Sequence, residues 1–167
     1  LGSCTMKLNA AVEMIPLTWP KLANVHPFVP TEQAMGYQKI IAELESYLAT
    51  ITGFEGVSLQ PNSGAQGEYS GLMVIRAYHH SRGESNRDIV LIPSSAHGTN
   101  PSSAMLAGYD VVTIPSDEQG MMDFDLFMEA LNEKTAGVML TCPNTLGVFN
   151  TRIREICDAV HEIDGLM

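Results

Sequence analysis

Apolar and polar positions along this chain change period several times, and each change marks an element. From Thr31 onward, Tyr37, Ile41, Leu44, Leu48 and Ile51 recur at threes and fours, a helical face with Thr31 placed to cap it and Gly53 to end it. Val57-Ser58-Leu59 is a β-like run that breaks at Pro61, and a second helix follows over roughly 65–80 with Tyr69, Leu72, Met73 and Ile75 among its apolar positions. The chain then alternates. Asp88-Ile89-Val90-Leu91-Ile92, Asp110-Val111-Val112-Thr113-Ile114 and Gly137-Val138-Met139-Leu140 read as strands. Between and after them come a short helix near Ser102–Ala107, a helix capped by Asp123 with Phe124, Phe127, Met128 and Leu131, and a helix over Arg152–Asp164 with Ile153, Ile156, Cys157, Val160 and Ile163 inward. Near-continuous apolar strands alternating with amphipathic helices predict an α/β sheet covered on both faces.

Residues 1–30 show no clear period. Pro16, Pro20, Pro27 and Pro30 exclude a long helix and predict an extended arm. The organisation read from the pattern is thus an arm over 1–30 and an α/β domain over 31–167. Gly165 is placed to end the last helix, and Leu166-Met167 reads as the start of another strand. With Leu1 in place of an initiator methionine, both ends read as cut and the domain as incomplete.

Composition narrows the class of partner. At 45 % apolar and 17 % charged residues over 167 positions, the balance is that of a globular domain. A net charge of −10 argues against nucleic acid and anionic membranes, which reward clustered Lys and Arg. Cys4, Cys142 and Cys157 are widely spaced and form neither a disulfide framework nor a metal-ligand pattern, so no metal is expected and a reducing compartment is. They read as small buried apolar residues. No signal peptide, transit peptide or membrane span is visible in the sequence.

Chemistry concentrates in Gln60-Pro61-Asn62-Ser63-Gly64-Ala65-Gln66-Gly67-Glu68-Tyr69. A strand-like run that turns through small residues into a helix points free backbone N–H groups, and the positive end of the helix dipole, at one place. Such a terminus can hold a phosphate without any basic side chain. Ser63 followed by Gln66 also spells a capping box, which would tie up the same donors, and the residues alone leave both uses open.

Ligands of such sheets bind at the carboxyl ends of the strands. The loops there are Pro93–Pro101, Pro115–Gly120 and Cys142–Gly147. His97, flanked by Ala96 and Gly98, has a flat ring suited to stacking on an aromatic cofactor. Asn144 and Thr145 could donate to an oxygen, or serve as ordinary turn formers. Ser3, Cys4, Thr5 and Lys7 form a compact polar cluster without a role that spacing assigns. His26 is equally suited to a structural role, and His79, His80 and His161 read as solvated helix residues. No HExxH, GxSxG, Walker A or GxGxxG pattern is present.

Four motifs taken together resemble one family. Leu1–Asn9 (Leu-Gly-Ser-Cys-Thr-Met-Lys-Leu-Asn), Gln60–Tyr69, Ser94–Pro101 and Asn144–Phe149 occur in this order in the glycine decarboxylase P-proteins of the glycine cleavage system, and the match runs the whole length. It covers part of the C-terminal half of a single-chain P-protein, or of the second subunit in two-subunit forms. Gln60–Tyr69 is closer to the former and Asn144–Gly147 to the latter, so both organisations stay open.

The resemblance implies the large domain of a fold-type-I pyridoxal phosphate enzyme, an aminotransferase-like three-layer α/β/α sheet. It implies that Ser63, Gly64, Ala65 and Gln66 hold the cofactor phosphate, that His97 stacks on the pyridine ring, and that Asn144 or Thr145 faces its phenolic oxygen. Ser3, Cys4, Thr5 and Lys7 would line the entrance for glycine and the lipoyl arm. The implied reaction is decarboxylation of glycine, with the aminomethyl group passed to the lipoylated H-protein. The implied setting is a homodimer or a two-subunit heterotetramer in the bacterial cytoplasm or mitochondrial matrix.

The family's Schiff-base lysine and its pyridinium-binding aspartate lie beyond these motifs. The lysines here are Lys7, Lys21, Lys39 and Lys134, none in that context, so the chain by itself is expected to be inactive. Two rivals share the general pattern: another fold-type-I enzyme, such as an amino-acid decarboxylase or a desulfurase-like protein, and a non-catalytic subunit that keeps the fold as a scaffold.

Overall fold

The computed structural model describes residues 10–167, so Ser3, Cys4, Thr5 and Lys7 lie outside the described residues. The chain divides into two compact units, Leu1–Leu59 and Gln60–Met167. The division falls later than the predicted arm boundary at residue 30, because the helix after Thr31 groups with the arm.

In the first unit the prolines do prevent a long helix, but the arm is not extended. It closes into short helical turns: α1 (Ala11–Met14), a 3-10 turn over Ile15–Thr18, α2 (Pro20–Ala23) and a second 3-10 turn over Thr31–Gln33. Pro16 and Pro20 sit at the starts of two of these turns, where the missing N–H costs nothing and the fixed φ suits a helix. Helix α3 (Met35–Thr52) follows. Thr31 does not cap it with its hydroxyl; its carbonyl instead accepts Gln38 Nε2 at 3.2 Å. Gly53 ends α3 at φ 77°, the left-handed conformation that the pattern required of it. Val57–Leu59, expected to be strand-like, is irregular.

The second unit is a three-stranded parallel sheet, β1 (Ile89–Pro93), β2 (Asp110–Ile114) and β3 (Thr135–Val138), in the order β2-β1-β3. Strand β3 lies two residues earlier than its apolar run suggested, since Thr135 and Ala136 are themselves fully buried. Four main helices, α4 (Gly64–Ser81), α5 (Thr99–Leu106), α6 (Phe124–Ala130) and α7 (Ile153–Glu162), cover it. Side chains of β1 alternate between the faces. Val90 and Ile92 pack with Leu72 of α4 and Ala104 of α5, while Leu91 packs with Phe127 of α6 and with Ile156 and Val160 of α7. The result is the expected three-layer α/β/α arrangement.

This topology decides where a ligand can sit. The chain leaves β1 through α5 on one face and moves to β2, then crosses by α6 on the other face to β3. The loops after β1 and β3 therefore part company above two neighbouring strands, the switch point where open α/β sheets bind ligands.

Beyond β3, Leu166 forms a parallel bridge with Gly137. Leu166 N donates to Ala136 O at 3.1 Å, and Val138 N donates to Leu166 O at 2.9 Å. Gly165 does not take the left-handed position at the end of α7; Asp164 does, at φ 59°. Gly165 is instead buried against Val160, where a Cβ would meet Val160 Cγ1 at 3.0 Å. Gly137 is tighter still, since a Cβ there would lie 2.6 Å from Leu166 O, a backbone atom. Gly137→Ala is thus expected to cost about 1–3 kcal/mol and to loosen the Leu166 bridge. Faster hydrogen exchange at the Leu166 amide, with the amides of β2 unchanged, would be the readout.

The largest departure on this unit is His79. It is fully buried, not solvated: Nε2 lies 2.9 Å from Ala136 O and Nδ1 3.2 Å from Glu84 Oε2. The ring tucks inward because Glu84, Arg87 and the β3 carbonyls give its two nitrogens and the nearby charges partners at the sheet's amino edge, where Arg87 also donates to Thr135 O at 3.1 Å. Cys142 and Cys157, expected to be small buried apolar residues, are half-buried and free. No described helix is long and apolar enough to cross a membrane.

Candidate functional site

Helix α4 starts where Ser63, in extended conformation at φ −155° and ψ 166°, turns the chain. Ser63 Oγ accepts Gln66 N at 3.3 Å, and Gln66 Oε1 reaches back to Asn62 N at 2.8 Å. The capping box is therefore formed. It does not use up the terminus. The N–H groups of Gly64 and Ala65 have no protein acceptor among the described residues, and no atom lies within 4 Å of the place a Cβ on Gly64 would take. Beside them Ala65 and Gln66 border a hollow of about 250 Å³ with Tyr69, Thr99 and Leu106.

The loop after β1 brings His97 to the same end of α4. His97 is exposed; its Nδ1 lies 2.9 Å from Thr99 Oγ1, and Thr99 Oγ1 donates to Glu68 Oε1 on α4 at 3.0 Å. The loop after β3 is fastened to the other two. Thr145 Oγ1 donates to Ser95 O, and Asn144 Nδ2 donates to Gly120 O at 2.7 Å. Asn144 Oδ1 accepts Leu146 N and Val148 N at 2.9 and 3.0 Å, which folds its own loop. Ser94 and Ser116, just past β1 and β2, place their hydroxyls 3.2 Å apart.

All three loops thus meet at the carboxyl rim of one sheet, tied by side chains to main chain. His97, Gly64 and Asn144 do not line one closed cavity; the rim is open. Bonds already made limit what each group can still do. Thr145 has spent its hydroxyl proton on Ser95, so toward a ligand it offers lone pairs only. Asn144 keeps one amide hydrogen. His26, in the first unit, accepts Phe28 N at 3.1 Å and so holds its own turn. Lys134 precedes β3 and lies at the amino edge, away from the rim. Among the described residues no cluster of His, Cys, Asp and Glu is arranged to hold a metal ion.

Neither Glu68 nor Thr99 belongs to a recognised catalytic pattern, and only an acid in the early turns of an anion-type helix hinted that Glu68 would need partners.

A family model, aminotransferase class-V, matches residues 64–167, from the first residue of α4 to the end of the chain. The chain belongs to the aminotransferase class-V family. The fold of this family member is that of the fold-type-I pyridoxal phosphate enzymes. A crystal structure of glycine decarboxylase (P-protein) in inhibitor-bound form superposes with a TM-score of 0.77 at 17 % identity, over 94 % of this chain and 34 % of that one. A sphingosine-1-phosphate lyase from Burkholderia pseudomallei superposes with a TM-score of 0.66 at 19 % identity, over 81 % and 34 %. At those identities the likeness is one of fold. Sequence relatives are much nearer. Glycine dehydrogenase (decarboxylating) from Deinococcus radiodurans is 55 % identical over 99 % of this chain, and that from Rhodopseudomonas palustris is 59 % identical over the same share. The chain spans 18 % and 17 % of the length of these two relatives.

Proposed function

We propose that this chain is the phosphate-cradling part of a pyridoxal phosphate-dependent glycine decarboxylase. The observation that carries the reading is the amino terminus of α4, which keeps two unpaired N–H groups facing an opening even though its capping box is formed. The donor set suits a phosphate monoester: backbone N–H groups at the positive end of an 18-residue helix, small residues that let an anion approach, and no basic side chain needed. The identity of 55–59 % to glycine dehydrogenases over nearly the whole chain supports the choice of glycine as substrate.

In this reading Gly64 and Ala65 donate to the phosphate, with Ser63 and Gln66 holding the helix end in shape. His97 covers a face of the pyridine ring. The remaining amide hydrogen of Asn144 is offered to the phenolic oxygen, while Thr145 pins that loop to Ser95. Pyridoxal phosphate, when bound, supplies an electron sink for the electron pair released as carbon dioxide leaves. The lysine that anchors the cofactor is not among this chain's own; Lys134 stands at the wrong edge of the sheet. Ser3, Cys4, Thr5 and Lys7 are proposed to face glycine and the lipoyl arm of the H-protein. A dimer or two-subunit assembly in the bacterial cytoplasm or mitochondrial matrix belongs to the same proposal.

Gly64→Pro in the whole protein that carries this chain tests the cradle directly. Proline is tolerated at the first helical position, and Ser63 is already in the extended conformation that a following proline requires. The substitution should leave helicity intact and remove one donor. Cofactor affinity should fall about 10- to 100-fold, the loss of one hydrogen bond to a charged group at ~1.5–3 kcal/mol. Unchanged affinity would remove the helix end from the site. Release of labelled carbon dioxide from glycine in the presence of lipoylated H-protein tests the substrate, and cofactor binding without that release would favour another fold-type-I activity.

A further inference from the structure

Helix α4 carries an acid with both oxygens taken, and neither partner is on α4. Glu68 Oε1 accepts Thr99 Oγ1 at 3.0 Å and Oε2 accepts Ser103 Oγ at 3.2 Å. Both hydroxyls belong to α5, which begins two residues after His97. A threonine hydroxyl has one proton and a carboxylate offers only lone pairs, so that proton points at Glu68. The bond is charge-assisted and among the stronger ones available to a hydroxyl. With that proton on Glu68, Thr99 Oγ1 holds the imidazole by accepting from a protonated His97 Nδ1 at 2.9 Å; in the other tautomer Nδ1 accepts instead from Thr99 N at 3.2 Å.

We infer that Glu68 is a positioning residue that sets the His97 ring relative to the amino terminus of α4, acting through Thr99. Packing of α4 on α5 does not need this chain of bonds, because Leu72 and Ala104 already join one apolar cluster there. Ser103, 6 % exposed, fixes one Glu68 oxygen from inside the fold, which leaves the other aimed at Thr99 and the rim. Glu68 thus stands between a buried partner and a half-buried one next to the exposed His97. The same acid borders a cleft of about 300 Å³ with Gly67, Gly71, Asn100 and Leu140, so its orientation is not forced by crowding. The inference rests on the proposal that His97 covers the cofactor ring, and the test separates the two.

The first measurement needs no cofactor. In the whole protein without pyridoxal phosphate, acylation of His97 by diethyl pyrocarbonate is followed by peptide mass spectrometry, with exposed His161 as internal reference. Thr99→Val keeps the side-chain shape and cuts the link; Glu68→Ala removes the anchor; Glu68→Gln keeps an acceptor oxygen. Thr99→Val and Glu68→Ala should each speed His97 acylation about fivefold, the population change that losing one ordinary hydrogen bond brings. The double variant should be no faster than either single one, since both break one chain of contacts. Glu68→Gln should stay within about twofold of the parent. An unchanged rate in Thr99→Val, or a double variant that multiplies the two single effects, overturns the inference.

The second measurement adds pyridoxal phosphate and reads its affinity and absorption band. Glu68→Ala should weaken binding as His97→Ala does, and should add nothing when combined with it. If His97→Ala weakens binding and Glu68→Ala does not, the inference falls while the functional proposal stands. If acylation behaves as expected but no variant, His97→Ala included, alters cofactor binding, Glu68 still positions His97 and the cofactor reading falls.

Discussion

Replacing Phe127 with alanine should cost about 3–5 kcal/mol, the range for deleting a large ring from a packed interior. Phe127 is fully buried on α6, in one cluster with Leu91 of β1, Val138 of β3 and Ile156 and Val160 of α7, and its ring lies 5.9 Å from that of Phe124. That cluster, which also includes Ile114 of β2, joins the sheet to two helices, and α6 is only seven residues long and cannot hold itself helical without such packing. The cavity has little chance to collapse because the parallel strands fix its floor. Urea denaturation should show a lower midpoint with an unchanged slope. Leu126→Ala, one residue away and 41 % exposed, is the control and should cost under about 1 kcal/mol.

His79→Ala should be of similar size, about 3–5 kcal/mol, from the cavity and from the loss of two hydrogen bonds, one to Glu84 and one to Ala136 O, which would keep Leu166 N as its other donor. His79→Leu refills the space and should recover part of that loss but not the share of the two hydrogen bonds. The pH dependence has a definite sign. The hydrogen bond from His79, helped by Arg82 and Arg87 and opposed by burial, holds the Glu84 carboxyl below the usual carboxylate range. A carboxyl depressed in the folded state stabilises above its ordinary value, and the contribution disappears as pH falls through the folded value. Glu84→Gln should therefore lower stability at neutral pH, and its deficit should close on acidification below the carboxylate range. A deficit that stayed constant from neutral to acid pH would mean that the carboxyl's charge plays no part.

The layers of this fold were legible because they depend on period alone. Leu91, flanked by Val90 and Ile92, is apolar on both sides, and a strand of that kind must be sandwiched. Asp123 and Ser63 cap their helices as read, because a short polar side chain before an apolar run has few other uses. The misreadings have separate causes. Thr31 looked like a cap, but it lies in a 3-10 turn and the helix begins only at Met35; His79 looked solvated until Ala136 was brought to it from β3, with Glu84 closing over it from the next loop. Gly165 seemed to be the terminating glycine, but contact with Val160 called for a residue without a side chain there, and Asp164 took the left-handed turn. At the rim, the loops could be named from their place after strands. The bonds among them could not, because each joins residues far apart in the chain, as Thr145 and Ser95 do.

Those bonds have a consequence for how the rim tolerates change. Thr145 and Asn144 grip carbonyl oxygens of Ser95 and Gly120, which every amino acid carries. The information that fastens the loop after β3 to the other two is therefore concentrated in two of its own side chains, while Ser94 and Ser116 join the loops after β1 and β2. At position 95 many residues can be exchanged without unfastening anything. Gly120 is constrained differently, by its φ of 80° and not by the grip. A library that randomised Ser95 and its counterpart positions could reshape the mouth of the site while leaving its frame in place, whereas randomising Asn144 and Thr145 would dissolve the frame itself.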